Sequence, residues 1–184
     1  MSLTNIEFFA YEGEVWYQSS DGSIEKLQES NSEIIDELID HIATFYPKAH
    51  NALCSEYKGC ALNRSYYRYR IVSRFIRCNF AKLDNIPDFS PNCRCSFEFV
   101  PCPLRGECRH ERVICRPEFD HKLSAAEMPV LRLWFNALSI DDIADRLCLS
   151  PHTVNNHIRH AYQRLNIHSR AEFVRYASQN HLFS

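Results

Sequence analysis

From Leu123 to the C-terminus the sequence repeats one local signal, a serine able to cap a helix followed by an apolar stripe of helical period, and four such segments fit into 62 residues. Ser124-x-x-Glu127 is a capping box, ahead of Val130, Leu131, Leu133 and Trp134. Ser139 caps a short second segment through Ile140, Ile143, Ala144 and Leu147, with Asp141 and Asp142 in its first turn, where the helix dipole favours acids. After a tight turn at Cys148-Leu149, Ser150 caps a third segment whose first position is Pro151, where a missing N–H costs nothing. Val154, Ile158, Ala161 and Leu165 follow at spacings of four, three and four. Ser169-x-x-Glu172 opens the last helix through Phe173, Val174, Tyr176 and Ala177. Two short helices joined by so tight a turn predict a helix-turn-helix inside a four-helix bundle.

The outer face of the third helix carries Thr153, Asn155, Asn156, Arg159, Gln163 and Arg164, with no carboxylate among them. Asn, Gln and Arg form bidentate hydrogen bonds to adenine and guanine edges in the major groove, whereas an ordinary bundle helix would carry acids or alanine there. These residues, with Leu123-Ser124-x-x-Glu127, Ile143-Ala144-x-x-Leu147, Ser150-x-x-Thr153-Val154-x-x-His157-Ile158, Arg164-Leu165 and Arg170-Ala171, resemble the DNA-binding domain of the LuxR/FixJ/NarL regulators. The resemblance covers about a third of the chain with its internal spacings intact. It implies that the third helix enters the major groove, with Asn155, Asn156 and Arg159 facing bases or phosphates. Ser150, Thr153, His157 and Arg164 complete the expected DNA-binding set, His157 either bonding a phosphate or holding the helix to its neighbour. The resemblance also implies a homodimer through residues 169–180. Three positions depart from the family pattern: Asn155 replaces a frequent lysine, Ala137 replaces the glycine before the second helix, and Pro129 falls inside the first helix, where it is expected to kink it.

Upstream, Glu14–Gln18 and residues 23–27 read as two strands around the turn Ser19-Ser20-Asp21-Gly22. Ser30-x-x-Glu33 reads as a capping box ahead of Ile34, Ile35, Leu38, Ile39, Ile42 and Phe45, a helix expected to end at Tyr46 because Pro47 follows. Residues 64–82 interleave arginine with tyrosine. As a helix they put Tyr66, Tyr69, Val72, Ile76 and Phe80 on one side and Arg70, Arg74 and Arg77 on another. Such a face can grip phosphates and stack on bases, or it is the cationic side of a core helix paired with the acidic start of the chain.

Nine cysteines, five of them between Cys93 and Cys115, are unusual in a chain whose first residues do not read as a secretory signal. Gaps of six, five and six residues separate Cys95, Cys102, Cys108 and Cys115, and Pro101, Pro103 and Gly106 supply bends. The spacing predicts one structural zinc per chain held by these four thiolates, with Cys93 or His110 as a substitute ligand. An iron–sulfur cluster, a thiol switch or inert packed thiols would use the same residues.

The expected fold is therefore α+β. A small mixed N-terminal domain, residues 1–120, carries a cysteine-rich metal-binding segment at 93–115, and an all-α four-helix helix-turn-helix domain follows at 121–184. Charge is segregated: −9 over residues 1–56, +6 over 57–122 and +1 over 123–184. Between Arg146 and Ala171 there are four arginines, four histidines and no acid, so the net −2 does not exclude a polyanionic partner. No apolar run approaches the ~20 residues of a membrane span. No H-E-x-x-H, C-x-x-C or Ser/His/Asp grouping points to an enzyme, and no phosphorylatable receiver or acyl-lactone pocket is recognisable. The expected function is a zinc-stabilised bacterial transcription regulator that binds specific double-stranded DNA in the cytoplasm, at the nucleoid. The alternative is an adaptor or sigma-like module contacting RNA polymerase, with the cysteines as a redox or iron–sulfur sensor.

Overall fold

The computed structural model describes residues 3, 6–84, 86, 88–89, 95–180 and 182–183. The chain divides into two compact units, Met1–Asp120 and His121–Ser184, each with its own apolar core.

The first unit opens with an antiparallel sheet in the order β1 (Glu7–Tyr11), β2 (Glu14–Gln18), β3 (Ile24–Lys26). β1 has no clear signal in the sequence. It pairs with β2 through a two-residue turn in which both Glu12 and Gly13 have positive φ, the conformation a tight hairpin requires. Phe8, Val15 and Tyr17 are buried on one face of the sheet. Helices α1 (Ser32–Phe45), α2 (Pro47–Glu56) and α3 (Arg64–Asn79) follow, with a 3₁₀ turn at Lys58–Cys60. The capping box expected at Ser30 does not form. Asn31 occupies the N-cap of α1, and its side chain accepts from the Gln28 amide (2.7 Å) instead of from the helix. Pro47 ends α1 and starts α2 in one step, sitting at a first-turn position.

Most of α3 is core. Ile71, Val72, Phe75 and Ile76 are buried, whereas Tyr66 and Tyr69 are only half-buried, so the apolar face is rotated from the expected stripe. Beyond α3 the described residues of the first unit pack around an aromatic cluster that includes Tyr46, Phe75, Phe80, Phe89 and Phe97. One side chain ties these residues down. Asn79, fully buried, donates to the carbonyls of Phe75 and Ile114 (both 2.9 Å) and accepts from the Arg116 amide (2.6 Å). Its own carbonyl accepts from the Glu98 amide (2.9 Å).

The metal-binding segment is overturned. Among the described residues no three His, Cys, Asp or Glu side chains are grouped to hold a metal ion, which removes the zinc and iron–sulfur expectations alike. The physical reason begins with Cys95, which the aromatic core claims: it is 6% exposed, its amide donates to the Tyr46 hydroxyl (3.0 Å), and its Sγ lies 3.6 Å from His41 Nε2. Burial lowers the His41 pKa to about 4, so that histidine is neutral. Cys102, Cys108 and Cys115 are half-buried thiols in the turns that follow. Nearby, burial above all, together with Cys115, Cys102 and Cys108, raises the Cys78 thiol to about 11 against the opposing pull of Arg74. His110 is engaged by Glu56 (2.9 Å) and Arg109 (3.1 Å), and Cys93 lies outside the described residues.

The second unit is all-α: α4 (Glu127–Phe135), α5 (Ile140–Leu147), α6 (Pro151–Leu165) and α7 (Arg170–Gln179). Val130, Leu131, Ile143, Val154, Ile158 and Phe173 are among its core residues. Pro129 falls in the first turn of α4, where the N–H that proline lacks would have no intrahelical acceptor, so its presence costs the helix no hydrogen bond. No helix among the described residues is long and apolar enough to cross a membrane.

Candidate nucleic-acid interface

Local chemistry sets the geometry of α5 and α6. Ser139 accepts from the Asp142 amide (3.2 Å) while Asp142 accepts from the Ser139 amide (3.3 Å), a reciprocal capping box. α5 ends where Cys148 enters the left-handed region, with the Leu149 amide reaching back to the Ala144 carbonyl (2.9 Å). Ser150 then caps α6, its hydroxyl accepting from the Thr153 amide (3.0 Å) and lying 2.8 Å from the Thr153 hydroxyl. Val154, Ile158 and Ala161 are buried, which fixes the rotation of α6 about its axis and sends the intervening residues outward.

On that outward face Asn155 and Arg159 are exposed, and Thr153, Asn156 and His157 are half-buried. Arg159 donates to Asn156 Oδ1 (3.0 Å), and Asn155 donates to the Pro151 carbonyl (3.1 Å), so these side chains are oriented before any ligand arrives. An open groove of about 550 Å³ runs beside Asn155 and Arg159 down to Asn166 and His168. Arg164 is engaged inside the domain, where its guanidinium donates to Glu127 (2.5 Å), a carboxylate only 2% exposed. Burial raises the Glu127 pKa, but hydrogen bonds from the Ser124 amide and hydroxyl together with Arg164 outweigh it and leave it below the ordinary value.

Trp134 and Arg170, both present in the sequence pattern, make contacts that the pattern does not specify. Trp134 donates to the Tyr162 hydroxyl (2.9 Å), tying α4 to α6. Arg170 lies 3.6 Å over the Trp134 ring and donates to the carbonyls of Trp134 (2.7 Å) and Leu138 (3.2 Å). The Arg-Ala pair at 170–171 is thus a clamp for the end of α4.

The model of the family described as "Bacterial regulatory proteins, luxR family" matches residues 121–177. Residues 121–177 are a LuxR-type helix-turn-helix domain. The LuxR-type domain is a double-stranded-DNA-binding type and not a catalytic one. An HTH-type transcriptional regulator of Mycobacterium tuberculosis is 44% identical over 52 residues, which are 28% of this chain and 6% of that protein. A counterpart in Mycobacterium bovis matches equally. The Fimbriae Z protein of Salmonella typhimurium is 36% identical over 86 residues, 47% of this chain and 41% of that one. The chain spans less than half the length of each of these relatives. No solved structure matches it.

Proposed function

We propose that this chain is a bacterial transcription regulator that binds specific double-stranded DNA by inserting α6 into the major groove. The observation that carries the reading is the outward face of α6, where Asn155 and Arg159 are exposed, Asn156 holds Arg159, and no acid stands between Arg146 and Ala171. In this reading Asn155, Asn156 and Arg159 read base edges, while Ser150, Thr153 and His157 lie toward the phosphate backbone. Arg164 reaches a phosphate only with the part of its guanidinium that Glu127 leaves unused. The protein acts in the cytoplasm, at the nucleoid, as a homodimer through residues 169–180. The outer side of α7 there carries Ala171, Val174 and Ser178, small enough for close helix approach.

The test is DNA selection from a random library followed by anisotropy titration of the chosen site. Arg159→Ala is expected to cost about 1–3 kcal/mol and relax one base position, or to reduce the salt slope by about one if its partner is a phosphate. Affinity unchanged in both Arg159→Ala and Asn156→Ala sinks this placement of α6. Capture of an RNA polymerase subunit without any DNA affinity would instead favour the adaptor reading.

A further inference from the structure

A cleft of about 350 Å³ opens between α3 and the β1–β2 hairpin, far in sequence from the LuxR-type domain. Its helical wall is built from Tyr66, Tyr69, Arg70, Ser73 and Arg77, positions that recur every three or four residues and so share one face of α3. The opposite wall is the tight turn at Gly13 and the start of β2. This is the arginine–tyrosine face that stands out in the sequence and that DNA binding by α6 does not use.

Three features make the cleft a built site. Ser73 is 3% exposed, and its hydroxyl is buried without a hydrogen-bond partner. Arg70 likewise has a buried Nε without a partner. Its guanidinium is held by a bond to the Tyr66 hydroxyl (2.6 Å) and lies 4.8 Å from the Tyr57 ring centroid. Arg77 is pinned by the Ser73 and Gly13 carbonyls (both 3.3 Å). Among the described residues neither arginine has a carboxylate partner, although Arg68, two residues before Arg70, pairs with Asp36. The acid at the rim, Glu14, is engaged by Lys26 (3.1 Å).

Folding seldom leaves a buried hydroxyl and a buried guanidinium N–H unpaired beside two uncompensated cations, because each such group is costly unless something meets it. We propose that this cleft binds a small molecule bearing an oxyanion, a phosphate or carboxylate group, whose flat or apolar body packs on Tyr66 and Tyr69. Arg70 and Arg77 supply the charge, Ser73 donates the hydrogen bond that its hydroxyl now lacks, and the tyrosine rings supply the walls. The volume admits a ligand of the size of a substituted benzene ring and excludes a polymer.

The experiment is isothermal titration of the full chain with phenyl phosphate, benzoate and inorganic phosphate, each against wild type, Ser73→Ala, Arg77→Gln and Arg105→Gln. Saturable binding of phenyl phosphate or benzoate by wild type is expected, tighter than inorganic phosphate, with the preferred probe identifying the headgroup. Arg77→Gln is expected to lose at least tenfold in affinity, and Arg105→Gln, which lies outside the cleft, to lose none. Ser73→Ala separates ligand binding from structure: removing an unpaired buried hydroxyl leaves the melting temperature of the free protein unchanged or raised while affinity falls. Absence of saturable binding to wild type at millimolar probe overturns the proposal. So does binding that survives both Ser73→Ala and Arg77→Gln.

Discussion

Among the described residues each unit buries one carboxylate, and the two are treated in opposite ways. In the first unit Asp88, 1% exposed, accepts from the Phe8 amide (2.5 Å), yet burial, with Glu98, Glu7 and Asp84 nearby, raises its pKa to about 8. In the LuxR-type domain Glu127, equally buried, is held below its ordinary value by Ser124 and Arg164. The difference reflects how the units are built. The helical domain closes its helix ends locally, through caps three residues apart, and adds a few longer side-chain ties, Glu127 to Arg164 and Trp134 to Tyr162. The first unit closes its polar groups over long sequence distances, Asn79 to Ile114 and Phe8 to Asp88, and the Asp88 carboxyl lies near other acids with no cation paired to it among the described residues. Long-range ties make few bonds do much, so single substitutions there should have large effects.

The sharpest break is expected at Asn79. Asn79→Leu keeps the volume but takes the partner from the buried Ile114 carbonyl and from the part-buried Arg116 amide, a cost of about 3 kcal/mol. The chain has two tryptophans, Trp16 in the first unit and Trp134 in the second, so single-tryptophan variants report on each. Urea titration should move the Trp16 transition far more than the Trp134 transition. Equal movement of both would mean that Asn79 serves more than its own core.

Next in size is Glu127→Ala, which removes half of a reciprocal cap and leaves Arg164 without its partner, for about 1–2 kcal/mol. The pH dependence has a definite sign. A carboxyl whose folded pKa is depressed contributes stability above its ordinary value and loses it as pH falls, so the Glu127→Ala difference should shrink in acid. Denaturation of the isolated LuxR-type domain at pH 7 and pH 3 measures it, and a difference that grows in acid would contradict the assignment.

Asp88 has the opposite sign. Its folded pKa is raised above the ordinary carboxylate range near 4, so between about 4 and about 8 the folded state holds a proton that the unfolded state lacks. Its contribution is complete below about pH 4 and is lost as pH rises toward 8. Asp88→Asn keeps an acceptor for the Phe8 amide and removes the titration. It is expected to flatten the stability of the first unit between pH 5 and 8 and to be the more stable form at pH 8. A steeper profile in Asp88→Asn would reverse the assignment.

The same contrast explains what the sequence makes legible. Ser139, Ser150 and Ser169 are readable as caps because each bonds an amide three residues on. The stripe Val154, Ile158, Ala161 is readable because one helix has one period. In the first unit the cysteine spacing misleads, since nothing in the spacing says that Cys95 belongs to a core of Tyr46, Phe89 and His41. β1 stays hidden because Glu-Gly is a weaker turn signal than Asn-Gly. The unpaired Ser73 hydroxyl is invisible in a sequence, because only the hairpin folding across α3 makes the cleft.

The smallest expected effect tests how local the helical domain is. Three of its helix ends close the same way: the residues at 137, 148 and 166 have φ of +64°, +52° and +53°, and the following amide bonds back across the turn, Leu138 to Leu133, Leu149 to Ala144 and Ile167 to Tyr162. This is the cap that glycine fills best, yet none of the four glycines lies in this domain. Ala137, at the position where the family pattern has glycine, keeps the turn and bears the strain. A left-handed alanine costs roughly 1–2 kcal/mol, and glycine loses about 0.5–1 kcal/mol more chain entropy on folding, so Ala137→Gly should stabilise the domain by about 0.5–1 kcal/mol. Asn166→Gly should gain less, because asparagine already tolerates the left-handed region. Thermal melts of the two variants side by side decide it. If Asn166→Gly gains as much as Ala137→Gly, the strain belongs to the cap geometry and not to the alanine.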